Sequence, residues 1–322
     1  MTTTTTPANG ASSAADRRRA RRLGVTPPTQ RLRHRTAASG GRKASSVITT
    51  ALLVLMAMYF LVPLWWLLTA TTKSTNQLYN SFMFWFPSKP RLGYNLHWLS
   101  TYQGGVFWHW VLNSVFYAVA SAALGTLVSA MAGYLIAKYS FRGKGAASMV
   151  VLGSLMVPAT AMMIPVFLLV KEMGLLNTPL AVILPMVFNP FGVYFMMVYA
   201  AEAMPTELLD AGRIDGCGDY GIFFRIGLPL IRPGVVTLFL ISFVGAWNNF
   251  TLPLVMLTKT NLYPVTLGLQ IWSANLQSAG AGEPLYPLIM IGAFISIIPM
   301  LILFPIFRKY IVSGITLGSV KS

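Results

Sequence analysis

The sequence VITTALLVLMAMYFLVPLWWLLTA occupies residues 47–70 and contains no Asp, Glu, Lys or Arg. An α-helix needs about 20 apolar residues to cross a hydrocarbon core of roughly 30 Å, and this run exceeds that length. Because lipid offers no water to bond to the backbone, a spanning segment must satisfy its own backbone hydrogen bonds, as a helix does. The run is too long for a strand of a membrane barrel, and it lacks the alternation of apolar and polar residues that such a strand shows. The stretch therefore predicts a membrane-spanning helix.

Five further uncharged apolar runs follow, at residues 110–137, 146–170, 179–201, 234–257 and 286–306. The composition agrees with a membrane protein, because 55% of the 322 residues are hydrophobic and only 10% are charged. An ordinary soluble domain is about 25% charged. We therefore predict an all-α integral membrane protein, with six transmembrane helices in residues 47–322.

The basic residues give the chain a formal net charge of +16. If the N-terminus is cytoplasmic, 19 of the 24 Lys and Arg residues lie in inner segments and 5 in outer segments. This distribution follows the positive-inside rule, so we expect both termini in the cytoplasm. Because the membrane topology accounts for the charge, no nucleic-acid partner is predicted.

Residues 1–46 are rich in Thr, Ala, Ser and Arg and contain almost no large apolar side chains. Such a composition cannot bury enough apolar surface to fold, so the segment is predicted to be a disordered, basic cytoplasmic tail. Its arginines suit contact with anionic lipid. The single cysteine, Cys217, excludes a disulfide within the chain and a cysteine-based metal cluster, and no metal site is predicted.

An aromatic-rich segment precedes the second run. It suits an interfacial belt at the membrane surface or, as the alternative, a docking surface for an external partner. Its aromatic residues are Phe82, Phe84, Trp85, Phe86, Tyr94, Trp98, Trp108 and Trp110.

The most informative polar segment, residues 204–233, separates the fourth and fifth runs and reads MPTELLDAGRIDGCGDYGIFFRIGLPLIRP. We predict a short helix with Thr206 as N-cap, because a threonine hydroxyl can accept a bond from the first turn. Gly216 should end this helix, since glycine readily adopts a left-handed conformation. Asp219 should cap a second helix that Pro229 limits. Two short helices meeting at a sharp bend, called the elbow from here on, would fit a groove on another protein.

The spacing within this segment resembles the "EAA" loop of ABC importer permeases. The acidic-Ala-small triplet Asp210-Ala211-Gly212 is followed after three residues by Gly216, and after nine more by Ile226 and then Leu228-Pro229. Flanking residues resemble the carbohydrate branch of these permeases, close to the MalG-type subunit of maltose importers. They are Glu207, Leu208, Arg213 and Asp215, together with Asn113-Ser114, Tyr134 and Trp247-Asn248 elsewhere in the chain.

The resemblance implies the type I ABC importer permease (MetI-like) fold in the membrane of a bacterial cell. It implies that the loop is a coupling helix seated on a cytoplasmic ABC ATPase, which binds ATP and Mg while this chain holds no cofactor. It also implies a second homologous permease subunit, two ATPase copies and an extracellular solute-binding protein. The implied solute is a di- or oligosaccharide, and a glycerol-phosphate or another polar solute is the alternative.

The triplet departs from the Glu-Ala-Ala pattern of the family, because Asp210 stands in place of glutamate and Gly212 in place of the second alanine. A glycine in the middle of a helix costs about 1 kcal/mol relative to alanine. We therefore expect a looser elbow, with its acidic character and spacing retained.

Two interrupted runs are candidates for the substrate path. Asn189-Pro190 breaks the fourth run, and a proline within a membrane helix is tolerated where the break faces protein or a water-filled cavity. In the fifth run, Trp247-Asn248-Asn249 offers an indole and two amides for binding sugar hydroxyls. Interhelical hydrogen bonding is the alternative role for each asparagine.

Other classes of function are less compatible with the sequence. An ion-coupled carrier usually needs an ionisable group within the membrane, and the six runs contain no Asp, Glu, Lys or Arg. No GxSxG elbow, His-Glu metal motif or Walker A sequence is present, so the chain is not predicted to be an enzyme. A non-transporting membrane scaffold remains as a structural alternative.

Overall fold

The computed structural model describes residues 39–278 and 285–316. The described residues divide into two units, the first ending at Phe60 and the second beginning at Leu61. The predicted tail, residues 1–46, lies outside the described residues except for its last part, which is the start of a helix at Ser39.

The described residues form α-helices and short helical turns, and no strand occurs among them, so the predicted all-α class is confirmed. The helices are α1 (Ser39–Thr71), α2 (Thr75–Asn80), α3 (Leu92–Thr101), α4 (Val106–Lys138), α5 (Lys144–Leu155), α6 (Met163–Glu172), α7 (Leu180–Val187), α8 (Pro190–Ala203), α9 (Thr206–Ile214), α10 (Asp219–Leu230), α11 (Arg232–Trp247), α12 (Thr251–Met256), α13 (Val265–Ser278) and α14 (Tyr286–Thr316).

Four helical stretches are long and apolar enough to cross a membrane, namely Ser46–Thr71, Leu92–Lys138, Leu180–Ala203 and Tyr286–Ile306. The pair α10 and α11 makes a fifth if it is counted as one bent span. The run at residues 146–170 is not the continuous helix that its composition predicts. It contains most of α5 and α6 with a break around Pro158, and each helix is too short to cross alone. The count of six spans therefore stays a prediction.

Helix α4 is the centre of the second unit and packs against α7, α8 and α11. Its glycines allow a close approach to the α7–α8 backbone. A Cβ built on Gly133 would lie 2.6 Å from the Met197 nitrogen, and one on Gly125 would lie 3.3 Å from the Met186 carbonyl oxygen. Small residues at such contacts are how membrane helices gain packing energy without a hydrophobic driving force.

The N-terminal part of α4 holds the loop between α12 and α13. The Trp110 indole donates to the Thr260 carbonyl at 2.7 Å, and the Asn113 amide donates to the Asn261 carbonyl at the same distance. The Ser114 hydroxyl accepts a bond from the Val265 amide at 2.7 Å. The Asn113-Ser114 pair therefore fixes the position of this loop.

A buried lysine secures the segment after α1. Lys73 is 1% exposed, and its amine donates to the carbonyls of Phe82 at 2.7 Å and Met83 at 3.3 Å. Burial lowers the pKa of this amine, because desolvation disfavours its charged form. The two carbonyls satisfy the amine in place of water.

Several helices of the second unit present large apolar side chains outward. Such a surface is unfavourable in water and suits lipid contact. Among the most exposed are Met149 and Val150 on α5, Ile164 on α6, and Leu301, Ile302 and Phe304 on α14.

Candidate functional site

Helix α9 forms the first half of the predicted elbow. It begins at Thr206, and the N-cap is Pro205, so the prediction of Thr206 as N-cap is wrong by one residue. A residue before proline is driven towards extended geometry, and both Met204 and Pro205 are extended here. Glu207 lies in the first turn, where its charge complements the helix dipole.

Gly216 ends this helix as predicted. Its φ is +80°, and the amide of Cys217 donates to the Gly212 carbonyl at 2.9 Å. The Gly216 amide donates to the Arg213 carbonyl at 3.0 Å. This pair of bonds is a Schellman motif, which satisfies carbonyls that would otherwise be left without partners at the helix end.

Helix α10 forms the second half of the elbow. Its N-cap is Gly218, and Asp219 is the first helical residue without a capping bond, so the capping prediction is again wrong by one. The helix passes through a π-helical turn at Phe223–Gly227 and continues past Pro229 to Leu230, one residue further than predicted. It then meets α11 at an angle of 79°.

Gly212 lies at the contact between the two helices of the elbow. A Cβ there would be 2.8 Å from Ile226 Cδ1 and 3.3 Å from Ile222 Cγ1, and Gly212 itself is buried. The missing side chain lets the two helices approach closely at this point. The expectation of a looser elbow stays a prediction.

Polar contacts connect the elbow to the C-terminal end of α4. The Tyr139 hydroxyl donates to Asp219 Oδ1 at 2.9 Å, and the Arg213 guanidinium lies over the Tyr139 ring, 5.5 Å from its centroid. Arg213 also pairs with Asp210 at 3.0 Å. Both side chains of that pair are about half exposed, so the pair contributes little stability and serves mainly to orient Arg213.

The outer face of the elbow combines apolar and acidic side chains. Ile214 is 86% exposed and Tyr220 is 77% exposed, whereas Leu209 and Ile222 on the inner face are buried. The predicted coupling residues divide accordingly. Glu207, Leu208, Asp210, Ala211, Arg213, Asp215, Gly216 and Pro229 are exposed, Ile226 and Leu228 are partly buried, and Gly212 is buried. Sequence reasoning missed Tyr139, which lies outside the motif.

Asn189 and Pro190 lie where α7 gives way to α8. The Asn189 Oδ1 accepts a bond from the Gly192 amide at 3.1 Å, so Asn189 caps α8 and Pro190 follows at the first helical position. A cavity of about 250 Å³ opens at this break, with Ser121 of α4 and Ser242 of α11 in its wall. The break therefore faces space rather than packed side chains.

The other three path candidates do not line this cavity, although the Asn249 amide donates to the sulfur of Met186, a residue of its wall, at 3.6 Å. Trp247 is 3% exposed and stacks on Phe243, with ring centroids 6.0 Å apart. The Asn248 amide donates to the Val244 carbonyl at 2.9 Å within its own helix. Asn249 Oδ1 accepts from the Leu252 amide at 3.1 Å, which fixes the turn into α12.

Among the described residues, no group of three or more His, Cys, Asp or Glu side chains is placed to hold a metal ion.

The sequence family described as "Binding-protein-dependent transport system inner membrane component" matches residues 125–317. This match covers more than half of the chain and includes the whole elbow. The chain belongs to this family. The permease is accordingly a membrane component of an ABC importer and not an enzyme, and its multi-pass membrane location is confirmed.

Several relatives of the permease are carbohydrate transport components. It is 38% identical to the arabinooligosaccharides transport system permease protein AraQ of Halalkalibacterium halodurans, over 68% of this chain and 76% of that one. It is 38% identical to the lactose transport system permease protein LacG of Rhizobium radiobacter, over 67% and 75%. The diacetylchitobiose uptake system permease protein NgcG of Streptomyces coelicolor is 30% identical, over 77% and 80%. These relatives confirm the predicted MalG-like carbohydrate branch.

A solved structure shares the fold. The permease superposes with a TM-score of 0.71 on a chain from the crystal structure of a bacterial ABC transporter involved in the import of the acidic polysaccharide alginate. The alignment covers 85% of this chain and 98% of that chain, at 21% sequence identity. The predicted importer permease fold is thereby confirmed.

Proposed function

We propose that the permease forms half of the membrane path for a di- or oligosaccharide and is driven by a cytoplasmic ATPase that grips the elbow. The relatives that carry oligosaccharide names support the solute class. The proposed complex contains a second homologous permease, two ATPase copies that bind ATP and Mg, and an extracellular solute-binding protein. Both termini and the elbow lie in the cytoplasm, in keeping with the distribution of Lys and Arg.

The outer face of the elbow is the observation that carries this proposal. Ile214 and Tyr220 are among the most exposed large apolar side chains described in the second unit, and they project from a segment that carries four acidic residues. Leaving such side chains in water forfeits the free energy that burial in a partner's groove would recover. The buried inner face keeps the elbow folded while its outer face is free to dock.

The attachments of the elbow would transmit ATPase motion to the membrane helices. The elbow joins α8 and α11 through the chain, and Tyr139 and Arg213 connect it to the end of α4. Lys138 adds a bond from its amine to the Ala201 carbonyl near the end of α8, at 2.9 Å. A rigid displacement of the elbow would therefore reach three helices together.

For the substrate path, we propose that Asn189 and Pro190 line it at the break between α7 and α8. Trp247 ends α11, and Asn248 and Asn249 follow it; we propose that these three residues support the path by fixing the α11–α12 turn. The hydrogen bonds of the two asparagines to neighbouring backbone atoms, and the stacking of Trp247 on Phe243, favour this supporting role over direct contact.

The test is uptake and sugar-stimulated ATP hydrolysis by the complex reconstituted in proteoliposomes, with the variant Gly216→Pro. Proline fixes φ near −65°, which is incompatible with +80°, and it removes the amide that bonds to Arg213. We expect uptake to fall at least about tenfold, since about 1.4 kcal/mol of lost coupling has that effect.

The matched control is Gly218→Ala, two residues further on. Gly218 has a φ of −68°, and a Cβ there would meet no atom within 4 Å. This variant should retain uptake and hydrolysis. If Gly216→Pro also retained both, docking of the elbow would not drive transport.

A further inference from the structure

The cavity at the α7–α8 break, named here the break subsite, lies between α4, α8 and α11. Its wall includes the polar residues Ser121, Asn189 and Ser242 and the apolar residues Met186, Phe188 and Pro190. We propose that the break subsite binds one uncharged sugar ring of the transported solute, through Ser121, Asn189 and Ser242. The proposal rests on the proposed import function and adds that this permease subunit itself contacts the solute.

Ser121 supplies the first observation. It is 2% exposed, and its hydroxyl has no hydrogen-bond partner among the described residues. A buried hydroxyl in a folded protein nearly always has a partner, and an exception in the wall of a cavity marks the place where a ligand group or water would bond.

Asn189 and Ser242 supply the complementary groups. Asn189 Oδ1 is committed to the Gly192 amide, which fixes the orientation of the side chain and leaves its NH₂ group to donate elsewhere. The Ser242 side chain places a second hydroxyl in the same wall. Two hydroxyls and one amide thus offer both donors and acceptors, which is what the hydroxyl groups of a sugar require.

The charge of the wall selects the class of solute. None of the described side chains that line the subsite is ionisable. A carboxylate entering this space would lose its hydration without gaining a cationic partner, whereas a neutral hydroxyl would exchange water for protein hydrogen bonds. The lining therefore favours neutral sugars over uronates.

The size of the subsite sets how much of the solute it holds. Its volume of about 250 Å³ equals that of about eight water molecules at roughly 30 Å³ each. It is smaller than the pockets of about 300–1,000 Å³ that enclose whole small ligands. A single ring fits, and a longer oligosaccharide would pass through one unit at a time.

The experiment uses the reconstituted full complex, with the permease carrying Cys217→Ser and Ser242→Cys so that the subsite holds its only thiol. The probes are lactose, arabinotriose, chitobiose and digalacturonate, each tested for stimulation of ATP hydrolysis and for protection of that thiol from N-ethylmaleimide. A neutral probe that stimulates hydrolysis should slow alkylation about threefold at twice its dissociation constant, because the free fraction falls to about one third. Digalacturonate should neither stimulate nor protect.

The control places the thiol on α14 instead, with Cys217→Ser and Ser296→Cys. The Ser296 hydroxyl bonds to the Ala293 carbonyl, away from the break subsite, so no probe should change its alkylation. In parallel, Ser242→Ala should lower uptake at subsaturating solute about threefold through the loss of one hydrogen bond, and Ser296→Ala should not.

The outcomes distinguish failure of the break subsite from failure of the proposed import function. Unchanged alkylation of Ser242→Cys by a neutral probe that is transported would reject the break subsite and leave the import function intact. Transport and protection by digalacturonate would reject the argument from charge. If none of the four probes stimulated hydrolysis, oligosaccharide import itself would be wrong, and the subsite would fall with it.

Discussion

Replacing Gly212 with alanine tests the packing of the elbow. In a helix, alanine is favoured over glycine by about 1 kcal/mol. The added Cβ, however, would lie 2.8 Å from Ile226 Cδ1, about 0.7 Å inside the shortest ordinary carbon contact of about 3.5 Å. Cδ1 is the end of a flexible side chain, and turning it away from its rotamer costs about 0.5–1.5 kcal/mol. The gain in helix propensity and the cost of moving the Ile226 side chain nearly cancel, so Gly212→Ala alone should leave the elbow's stability almost unchanged.

Removing the clashing atom, Ile226 Cδ1, should reveal the stabilisation that alanine's helix propensity provides. In the Ile226→Val background Cδ1 is absent, and the remaining contact, 3.3 Å from Ile222 Cγ1, needs a shift of only a few tenths of an ångström. Adding Gly212→Ala should then stabilise the elbow by about 1 kcal/mol relative to Ile226→Val alone. The coupling energy between the two sites in a double-mutant cycle should thus be about 1 kcal/mol, within the range for residues in contact. One kcal/mol corresponds to about fivefold in the opening equilibrium.

Amide hydrogen exchange measures this opening directly. The amides of Gly216 and Cys217 are hydrogen-bonded across the end of α9, so their exchange reports the opening of this end of the elbow. Their exchange in the double variant should be about fivefold slower than in Ile226→Val. An equal effect of Gly212→Ala in both backgrounds would refute the contact between Gly212 and Ile226.

Three further variants test separate parts of the structure. Tyr139→Phe removes the hydroxyl bond to the elbow but keeps the ring, and we expect about twofold more ATP hydrolysed per solute; an unchanged ratio would exclude this bond from coupling. Gly133→Ala places a Cβ 2.6 Å from the α8 backbone and should destabilise the protein by about 1–3 kcal/mol, measured as a lower melting temperature in detergent. Lys73→Met leaves two carbonyls without a donor and should cost about 1–3 kcal/mol, whereas the exposed Lys171→Met should be neutral in the same assay.

The sequence predicted the elements whose signals are local. The end of α9 at Gly216 follows from the freedom of glycine at positive φ, and the bend follows from two short helices with little sequence between them. The N-caps predicted at Thr206 and Asp219 each lie one residue earlier in the structure, at Pro205 and Gly218. At α9 the extended geometry of Met204 and Pro205 set the start of the helix, and no side-chain cap formed at either place.

Other features depend on tertiary contacts that no local pattern carries. The benefit of Gly212 is visible only once Ile226 lies against it, and Ser121 is one small residue in an apolar run until the break at Asn189 opens beside it. Trp247 has the chemistry of a sugar contact, yet it packs in the core against Phe243. Composition identifies which groups are available, and packing decides which of them face open space.

The angle of 79° between α10 and α11 has a mechanical consequence. Helix α10 spans 12 residues and is therefore about 18 Å long at 1.5 Å per residue. A sideways displacement of about 3 Å at its far end corresponds to a rotation of about 10° about the bend at Ile231. Because the two axes are nearly perpendicular, such a sideways movement of α10 would twist α11 about its own axis, so a small displacement would suffice to reorient the residues that α11 presents.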